Sequence, residues 1–357
     1  MGQIHRAVVL GTGLIGTSVA LALAERGVVV TLEDPDPAAV AMAVDLGAGT
    51  RLTQDDAPAD VALVAAPPAV VPAVLHRAQE RGLAHAYTDV ASVKTWVTRE
   101  ADRLGCDLST FVPSHPMGGR EKAGPGAARA DLFLGRSWAI CPTEKTDTHA
   151  IAVVTRLAEL CGAVPLTLAA QAHDRAVALV SHAPHVASSA VAARLLGGDP
   201  TALRLAGQGL RDVTRVAGGD PDMWMEILRY NAEPVADVLA AVAEDLRASA
   251  TALRSDATEP TVRDLLDRGR SGQERIPGKH GAERQPEFAM LPVVIPDQPG
   301  TLARLFDSAG AAGVNIEDVR IDHSPGLPVG VAQLSVRVEE LRELAQALAA
   351  DGWAVHG

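Results

Sequence analysis

Gly11-Thr12-Gly13-Leu14-Ile15-Gly16 follows a short apolar run, Ala7–Leu10, and precedes helix-forming residues. In that setting Gly11 permits a tight turn and Gly13 lets backbone approach a pyrophosphate, while Gly16 allows the helix to pack on the strand. The helix start adds free N–H groups and a positive dipole end for phosphates. Such a loop alone is a weak signal, but an acidic pair, Glu33-Asp34, follows near the expected distance of ~20 residues. A carboxylate there can bind both ribose hydroxyls of NAD and would repel the 2′-phosphate of NADP, and Asp34 rather than Glu33 is assigned that role. The bland alternative is a glycine turn that only joins strand to helix.

Three further segments concentrate polar groups in apolar surroundings: Asp89-Val90-Ala91-Ser92-Val93-Lys94, Phe111 to Gly119 around His115, and His173-Asp174 through Ser181-His182-Ala183-Pro184-His185. The first lies at the carboxyl end of an expected parallel strand, where open α/β sheets form their ligand crevice. His182 and His185 are three apart and would share a helix face. Pro184 deletes a backbone hydrogen bond and should kink that helix. His173 falls about half a turn away from His182, because nine residues advance ~900°. Unless the kink redirects it, the set therefore does not converge as metal ligands would, and a structural role is the favoured reading for His173 and His182 taken singly. Arg211 and Arg215 are i, i+4 neighbours whose repulsion asks for anionic company. Asp212 could supply part of it and a substrate carboxylate the rest, although a solvated charged turn explains the spacing equally well.

The elements that must carry these groups alternate in the first half. Ala7–Leu10, Val28–Leu32, Val61–Ala65 and Ala86–Val90 read as buried strands, and Thr17–Arg26 as a helix stopped by Gly27. Repeated βα units imply a parallel sheet with helices on both faces, and Trp138–Cys141 and Val164–Leu168 are expected to continue it at the far edge. From about residue 170 the strand signals stop. Asp220-Pro221 makes a good helix start, and Val235, Leu239, Val242, Leu246 and Leu253 recur at helical spacing. Residues 256–286 mix glycine, proline and charge and read as a linker or a draped loop. From Glu287 the order is strand, helix, strand, strand, helix, strand. The expected domains are residues 1–169, a Rossmann-type parallel-sheet domain, 170–286, an all-helical substrate and dimerisation domain, and 287–357, a small α+β unit.

Composition narrows the function. The 357 residues are 47% hydrophobic and 21% charged, ordinary for a globular protein. Lys plus Arg total 32 against 44 Asp plus Glu, a formal charge of −12, and aromatics are 3%. A nucleic-acid-binding surface is thus disfavoured, and an anionic substrate would need a few well-placed cations. Three cysteines without a CxxC pair suit a reducing cytoplasm. With no signal-peptide pattern and no uninterrupted apolar stretch near the ~18 residues of a membrane span, a cytoplasmic protein without membrane association is expected.

Taken together, GTGLIG, DVASVK, FVPSHPMGG followed by Glu121 and Gly124, HDRAVALVSHAPH, and RDVTR followed by DPDMW resemble the prephenate/arogenate dehydrogenase family, in family order over residues 6–230. The resemblance implies a Rossmann domain followed by a helical dimerisation domain, a homodimer, and NAD(P)-dependent oxidative decarboxylation of prephenate or arogenate. It implies that His115 hydrogen-bonds the ring 4-hydroxyl and assists its deprotonation, that Ser92 supports that hydroxyl, and that Arg215 holds a substrate carboxylate with His185 on the same wall. Gly118 departs from the more usual HPMAG, and the missing methyl is expected to loosen the loop beside His115. Prephenate as substrate and NAD as cofactor are the favoured reading. Arogenate is the nearest rival, for which an acid such as Glu121 could meet the ammonium group. A 4-amino-4-deoxyprephenate substrate, a dehydrogenase of another small acid, and a dinucleotide and amino-acid sensor without turnover rank lower.

The tail, Asp297-Gln298-Pro299-Gly300-Thr301-Leu302 and Ala312-Gly313-Val314-Asn315-Ile316, resembles an ACT domain over about 288–357. That resemblance implies allosteric control, with tyrosine held between paired domains near Gly300 and Asn315. The alternative is a purely structural pairing module.

Overall fold

Residues 3–118, 124–255, 258–276, 288–323 and 328–355 are described by the computed structural model. Two compact units are present, Met1–Arg247 and Ala248–Gly357.

The first unit begins with strands and helices in alternation: Arg6–Leu10 (β1), Leu14–Ala24 (α1), Val29–Glu33 (β2), Pro37–Asp45 (α2), Thr50–Arg51 (β3), Ala59–Val64 (β4), Val71–Glu80 (α3), Ala84–Asp89 (β5), Thr95–Arg103 (α4) and Phe111–Val112 (β6). The six strands form one parallel sheet in the order β3-β2-β1-β4-β5-β6. Because successive strand residues point to opposite faces, Val9, Leu32 and Leu63 join one apolar cluster, and Val8, Val64 and Tyr87 join the other. Both faces are covered, as parallel sheets require. Helix α1 is mostly apolar and buried over most of its surface, which suits a helix pressed between sheet and neighbours. It starts three residues earlier than the sequence pattern predicts, with Gly13 as its N-cap.

Ser114–Pro116 (β7), Ser137–Ile140 (β8) and Val164–Thr167 (β9), with Thr148–Leu160 (α5) between the last two, form a separate three-stranded sheet. The expectation that 138–141 and 164–168 extend the parallel sheet is therefore corrected. Pro113 stands between β6 and β7 and has no N–H to give the ladder; its carbonyl accepts from Cys141 N at 2.8 Å. Beyond it β7 pairs antiparallel with β8, and β8 pairs parallel with β9.

The chain then becomes helical: Ala170–Val177 (α6), a widened π-type turn at Ala178–His182, Ala183–Ala193 (α7), Pro200–Leu203 (α8), Gln208–Thr214 (α9), a 3-10 turn at Arg215–Gly218, Pro221–Tyr230 (α10) and Ala232–Ala252 (α11). Asp220 caps α10 as expected, its carboxylate accepting from the N–H groups of Asp222 and Met223. Residues 170–197 are long and apolar enough, by length and composition, to cross a bilayer, yet His173, Asp174, His182 and His185 in this run are buried against protein. Of the apolar stripe on α11, Val235 is buried with Ala178 and Ala183, whereas Val242 and Leu246 are exposed.

In the second unit Thr258–Glu274 (α12) replaces the linker or draped loop expected within 256–286. Acid-to-arginine pairs at i, i+4 along it, Glu259–Arg263 and Asp264–Arg268, each support an exposed helix by about 0.2–0.5 kcal/mol. Phe288–Pro296 (β10), Thr301–Ala311 (α13), Asp318–His323 (β11), Val329–Arg337 (β12), Val338–Ala350 (α14) and Ala354–Val355 (β13) follow in the expected order. Their antiparallel sheet runs β11-β12-β10-β13. Its core joins Leu291, Val293 and Leu334 of the sheet to Leu305, Leu344 and Leu348 of the helices.

Candidate active site

The glycine loop joins β1 to α1 at the carboxyl edge of the sheet. Gly11 has φ +109°, and a Cβ there would overlap the carbonyl oxygen of Ala65, so only glycine fits. A Cβ on Gly16 would overlap the Gly11 carbonyl in turn. Among the described residues nothing lies within 4 Å of where a Cβ on Gly13 would stand, and no side chain caps the start of α1. The backbone therefore presents an open, uncapped helix N-terminus, the arrangement that accepts a pyrophosphate. Asp34 lies just past β2; its carboxylate accepts from Thr12 N at 2.6 Å and Asp36 N at 2.8 Å. Glu33 is instead engaged by Arg81, with two bonds of 2.8 Å. Thr12 is buried, and Leu14 and Ile15 pack against the core under the sheet.

A buried ion pair lies at the same carboxyl edge, two strands away. Asp89, the last residue of β5, and Lys94 are both fully buried. Lys94 Nζ donates to the Asp89 carboxylate and, at 2.7 Å, to the Ser114 carbonyl. Asp89 also accepts from Ala91 N at 3.0 Å and Ser114 N at 3.1 Å. Burial pushes the Asp89 carboxyl up while Lys94 opposes it. A buried pair of this kind is tolerable only when hydrogen bonds meet its remaining capacity; here Lys94 Nζ has two acceptors and the Asp89 carboxylate three donors. The pair ties the end of β5 to β7, and so fixes the residue after Ser114, which is His115.

His115 Nδ1 lies 2.9 Å from His173 Nε2, and His173 Nδ1 lies 2.9 Å from Asp174 Oδ1. Asp174 also accepts from Lys94 N and Thr95 N, each at 2.8 Å. Burial works to raise its carboxyl, but hydrogen bonds from His173 and Thr95 and from those backbone groups bring it below the usual range. The tautomers follow from this bonding. An ionised Asp174 accepts from N–H on His173 Nδ1; with that as the single ring proton, His173 accepts at Nε2 and His115 donates from Nδ1. His115 Nε2 is left with its lone pair. Burial, then the neighbouring His173, Lys94 and His182, hold the His115 imidazole well below its ordinary pKa, and a neutral imidazole can take a proton.

The second wall is helical. Pro184 cannot donate to the carbonyl four residues back, and the widened turn Ala178–His182 occurs at that place. It re-aims the helix, so His173 and His182 share one buried network despite the half-turn offset expected from ideal geometry. Asn231 Nδ2 donates to the Asp174 carbonyl at 2.8 Å and to His182 Nδ1 at 3.0 Å. Burial lowers His182 to about 4. Trp224 meets His182 edge-on and stacks on His185 with centroids 3.6 Å apart. Gly219 packs against both Trp224 and His185, directly after the turn that carries Arg215. A continuous run of contacts thus leads from His115 to the Arg215 turn.

Arg215 is exposed, and Ser92 is half-buried in the loop after β5. Asp212 is exposed on α9 and accepts from Gln208 Nε2 at 2.8 Å. Glu121 lies outside the described residues. Gly300 is the left-handed N-cap of α13, and Asn315 is exposed after that helix ends. The expected loosening at Gly118 is corrected: a Cβ there would stand 2.9 Å from the Phe133 ring, so the aromatic side chain already fills the space. The sequence reading gave no separate role to Asp89, Lys94, Asn231 or Trp224. Its usable signals were a lysine in an apolar strand end and the adjacent pair His173-Asp174.

A Rossmann-type sheet with an open glycine loop, joined to a helical domain through an imidazole–carboxylate chain, defines an NAD-dependent oxidoreductase. Residues 19–167 match the prephenate dehydrogenase nucleotide-binding domain, and 169–267 match the prephenate dehydrogenase dimerization domain. The chain belongs to the prephenate dehydrogenase family. It is 40% identical over 97% of its length to the probable prephenate dehydrogenase of Streptomyces niveus, covering 98% of that protein. It is 26% identical to the prephenate dehydrogenase of Bacillus subtilis, covering 97% of this chain and 96% of that one. Among solved structures, the Aquifex aeolicus prephenate dehydrogenase in complex with hydroxyphenyl propionate and NAD+ superposes with a TM-score of 0.69 at 26% identity, over 76% of this chain and 99% of that one. Synechocystis arogenate dehydrogenase does so with 0.64 at 27%, over the same shares.

Proposed function

We propose that this chain catalyses NAD-dependent oxidative decarboxylation of prephenate to 4-hydroxyphenylpyruvate, a step in making tyrosine in the cytoplasm. The observation that carries the reading is the chain Asp174–His173–His115, which leaves His115 Nε2 as a proton acceptor. Bound NAD supplies the hydride acceptor. The residues from Gly11 to Gly16 hold its pyrophosphate, and Asp34 holds the adenine-side ribose. His115 takes the proton of the ring 4-hydroxyl, and Ser92 orients that oxygen. Loss of carbon dioxide restores an aromatic ring, so the protein need only position the substrate and relieve it of that proton. Arg215 clamps a substrate carboxylate, for which its planar fork is suited, with His185 and Asp212 around it.

Arg215→Ala is expected to raise KM for prephenate about 10–100-fold, the weight of a charge-assisted hydrogen bond, with kcat changed far less. Steady-state kinetics check this, and an unchanged KM moves the clamp elsewhere.

Arogenate is the second reading, supported by the likeness to the Synechocystis enzyme. Residues 287–357 are read as an ACT domain that binds tyrosine near Gly300 and Asn315, following the sheet domain 1–169 and the helical domain 170–286. A homodimer would cover exposed Leu179, Val180, Val242 and Leu246. NAD reduction measured with prephenate and arogenate side by side, with and without tyrosine, tests the whole reading. Turnover of neither substrate would overturn it.

A further inference from the structure

The carboxyl ends of β1 and β2 and the face of α3 enclose a cavity of about 250 Å³. Leu10, Val74 and Ala78 give it an apolar wall, and Asp34 stands at its edge with Glu33, Arg77 and Arg81. On the reading that the adenine-side ribose of NAD lies at Asp34, this cavity takes the adenine. The 2′ position of that ribose, where NADP carries its phosphate, then faces the charged edge.

That edge holds a guanidinium that could bind a phosphate. Arg81 follows the last turn of α3, and one N–H of each terminal nitrogen bonds Glu33, Nη1 to Oε1 and Nη2 to Oε2, each at 2.8 Å. The bond to Glu33 raises the Arg81 pKa further. A bidentate fork matches a carboxylate and a phosphate equally well, so Glu33 occupies the end-on fork of Arg81 and neutralises the charge that would attract a 2′-phosphate. We propose that the Glu33–Arg81 pair is a specificity latch: Glu33 excludes NADP by holding Arg81, independently of the direct repulsion by Asp34.

Calorimetric titration of the full chain with NAD+ and NADP+, without substrate, tests this. Glu33→Gln should tighten NADP+ binding at least about tenfold relative to NAD+, since the freed fork forms charge-assisted bonds to phosphate. Adding Arg81→Ala to Glu33→Gln should erase the gain. Both side chains are roughly half-exposed, at 45% and 43%, so folding is expected to tolerate the changes; Glu33→Ser repeats the test with a different residue. NADP+ affinity unchanged in both Glu33 variants, or a gain that survives removal of Arg81, overturns the latch. Asp34→Ala, titrated in parallel, separates the two readings. Weakened NAD+ binding there with no effect at Glu33 sinks the latch alone, whereas unchanged NAD+ binding there removes the ribose from this edge and sinks both.

Discussion

His115→Asn is expected to lower kcat for prephenate by about 10²–10⁴, the range for loss of a positioned general base, with KM changed by less than about threefold. The asparagine amide can still donate to His173 Nε2, so the network behind it survives while the acceptor facing the substrate is lost. Because burial depresses the His115 pKa, the imidazole is neutral at pH 7. The acidic limb of kcat/KM for the parent should lie below the ordinary histidine value of about 6.5, with activity falling as pH falls through the depressed pKa. Stopped-flow or steady-state NADH absorbance over pH 5–9 checks both statements. Turnover near that of the parent in the variant would take His115 out of the chemistry.

Lys94→Met should cost about 3–5 kcal/mol, because it strands Asp89 as an unpaired carboxylate in a fully buried site. At roughly 2–4 °C per kcal/mol for a protein of this size class, that is a fall in Tm of about 6–20 °C. The sign of the pH response follows from the Asp89 carboxyl, which burial raises. With Lys94 gone, the folded-state pKa sits further above the unfolded value of about 3.9, so the protonated form favours folding below that value and the benefit is lost as pH rises through the folded pKa. The deficit in Tm against the parent should therefore shrink as pH is lowered. Adding Asp89→Asn should restore part of the loss by removing the stranded charge. Differential scanning calorimetry reads all three proteins, and a single variant melting within about 3 °C of the parent would show that the pair carries little stability.

The two effects have one structural source. Lys94 bonds the Ser114 carbonyl at 2.7 Å, and its backbone N–H bonds Asp174 at 2.8 Å. The same residue thus fixes the strand bearing His115 and the carboxylate that sets the histidine tautomers. Lys94→Met is accordingly expected to lower kcat as well as Tm.

Local patterns in the sequence carry the alternating elements, the glycine loop, the Asp220-Pro221 helix start and the βαββαβ order of the tail, because each depends on neighbours within a few residues. Charge spacing also specifies the Glu259–Arg263 and Asp264–Arg268 pairs of α12, although the glycines and prolines around them pointed to a linker. His115 stood out by its proline- and glycine-rich setting. Its partners did not, since they come from 58 and 59 residues downstream, on a helix that only the packed chain brings beside β7. Ideal spacing sets His173 half a turn from His182, and only the packed helix, widened at Ala178–His182, shows that the kink at Pro184 brings them into one network. The same applies to Lys94, whose role depends on two groups, Ser114 and Asp174, brought to it only when β5, β7 and α6 pack together, and to Gly118, whose missing methyl is space already taken by Phe133. Chemical identity and local geometry are properties of short segments and can be read from them. Proton-holding partners, buried charge compensation and the filling of volume are contacts between distant segments, and only the packed chain decides those.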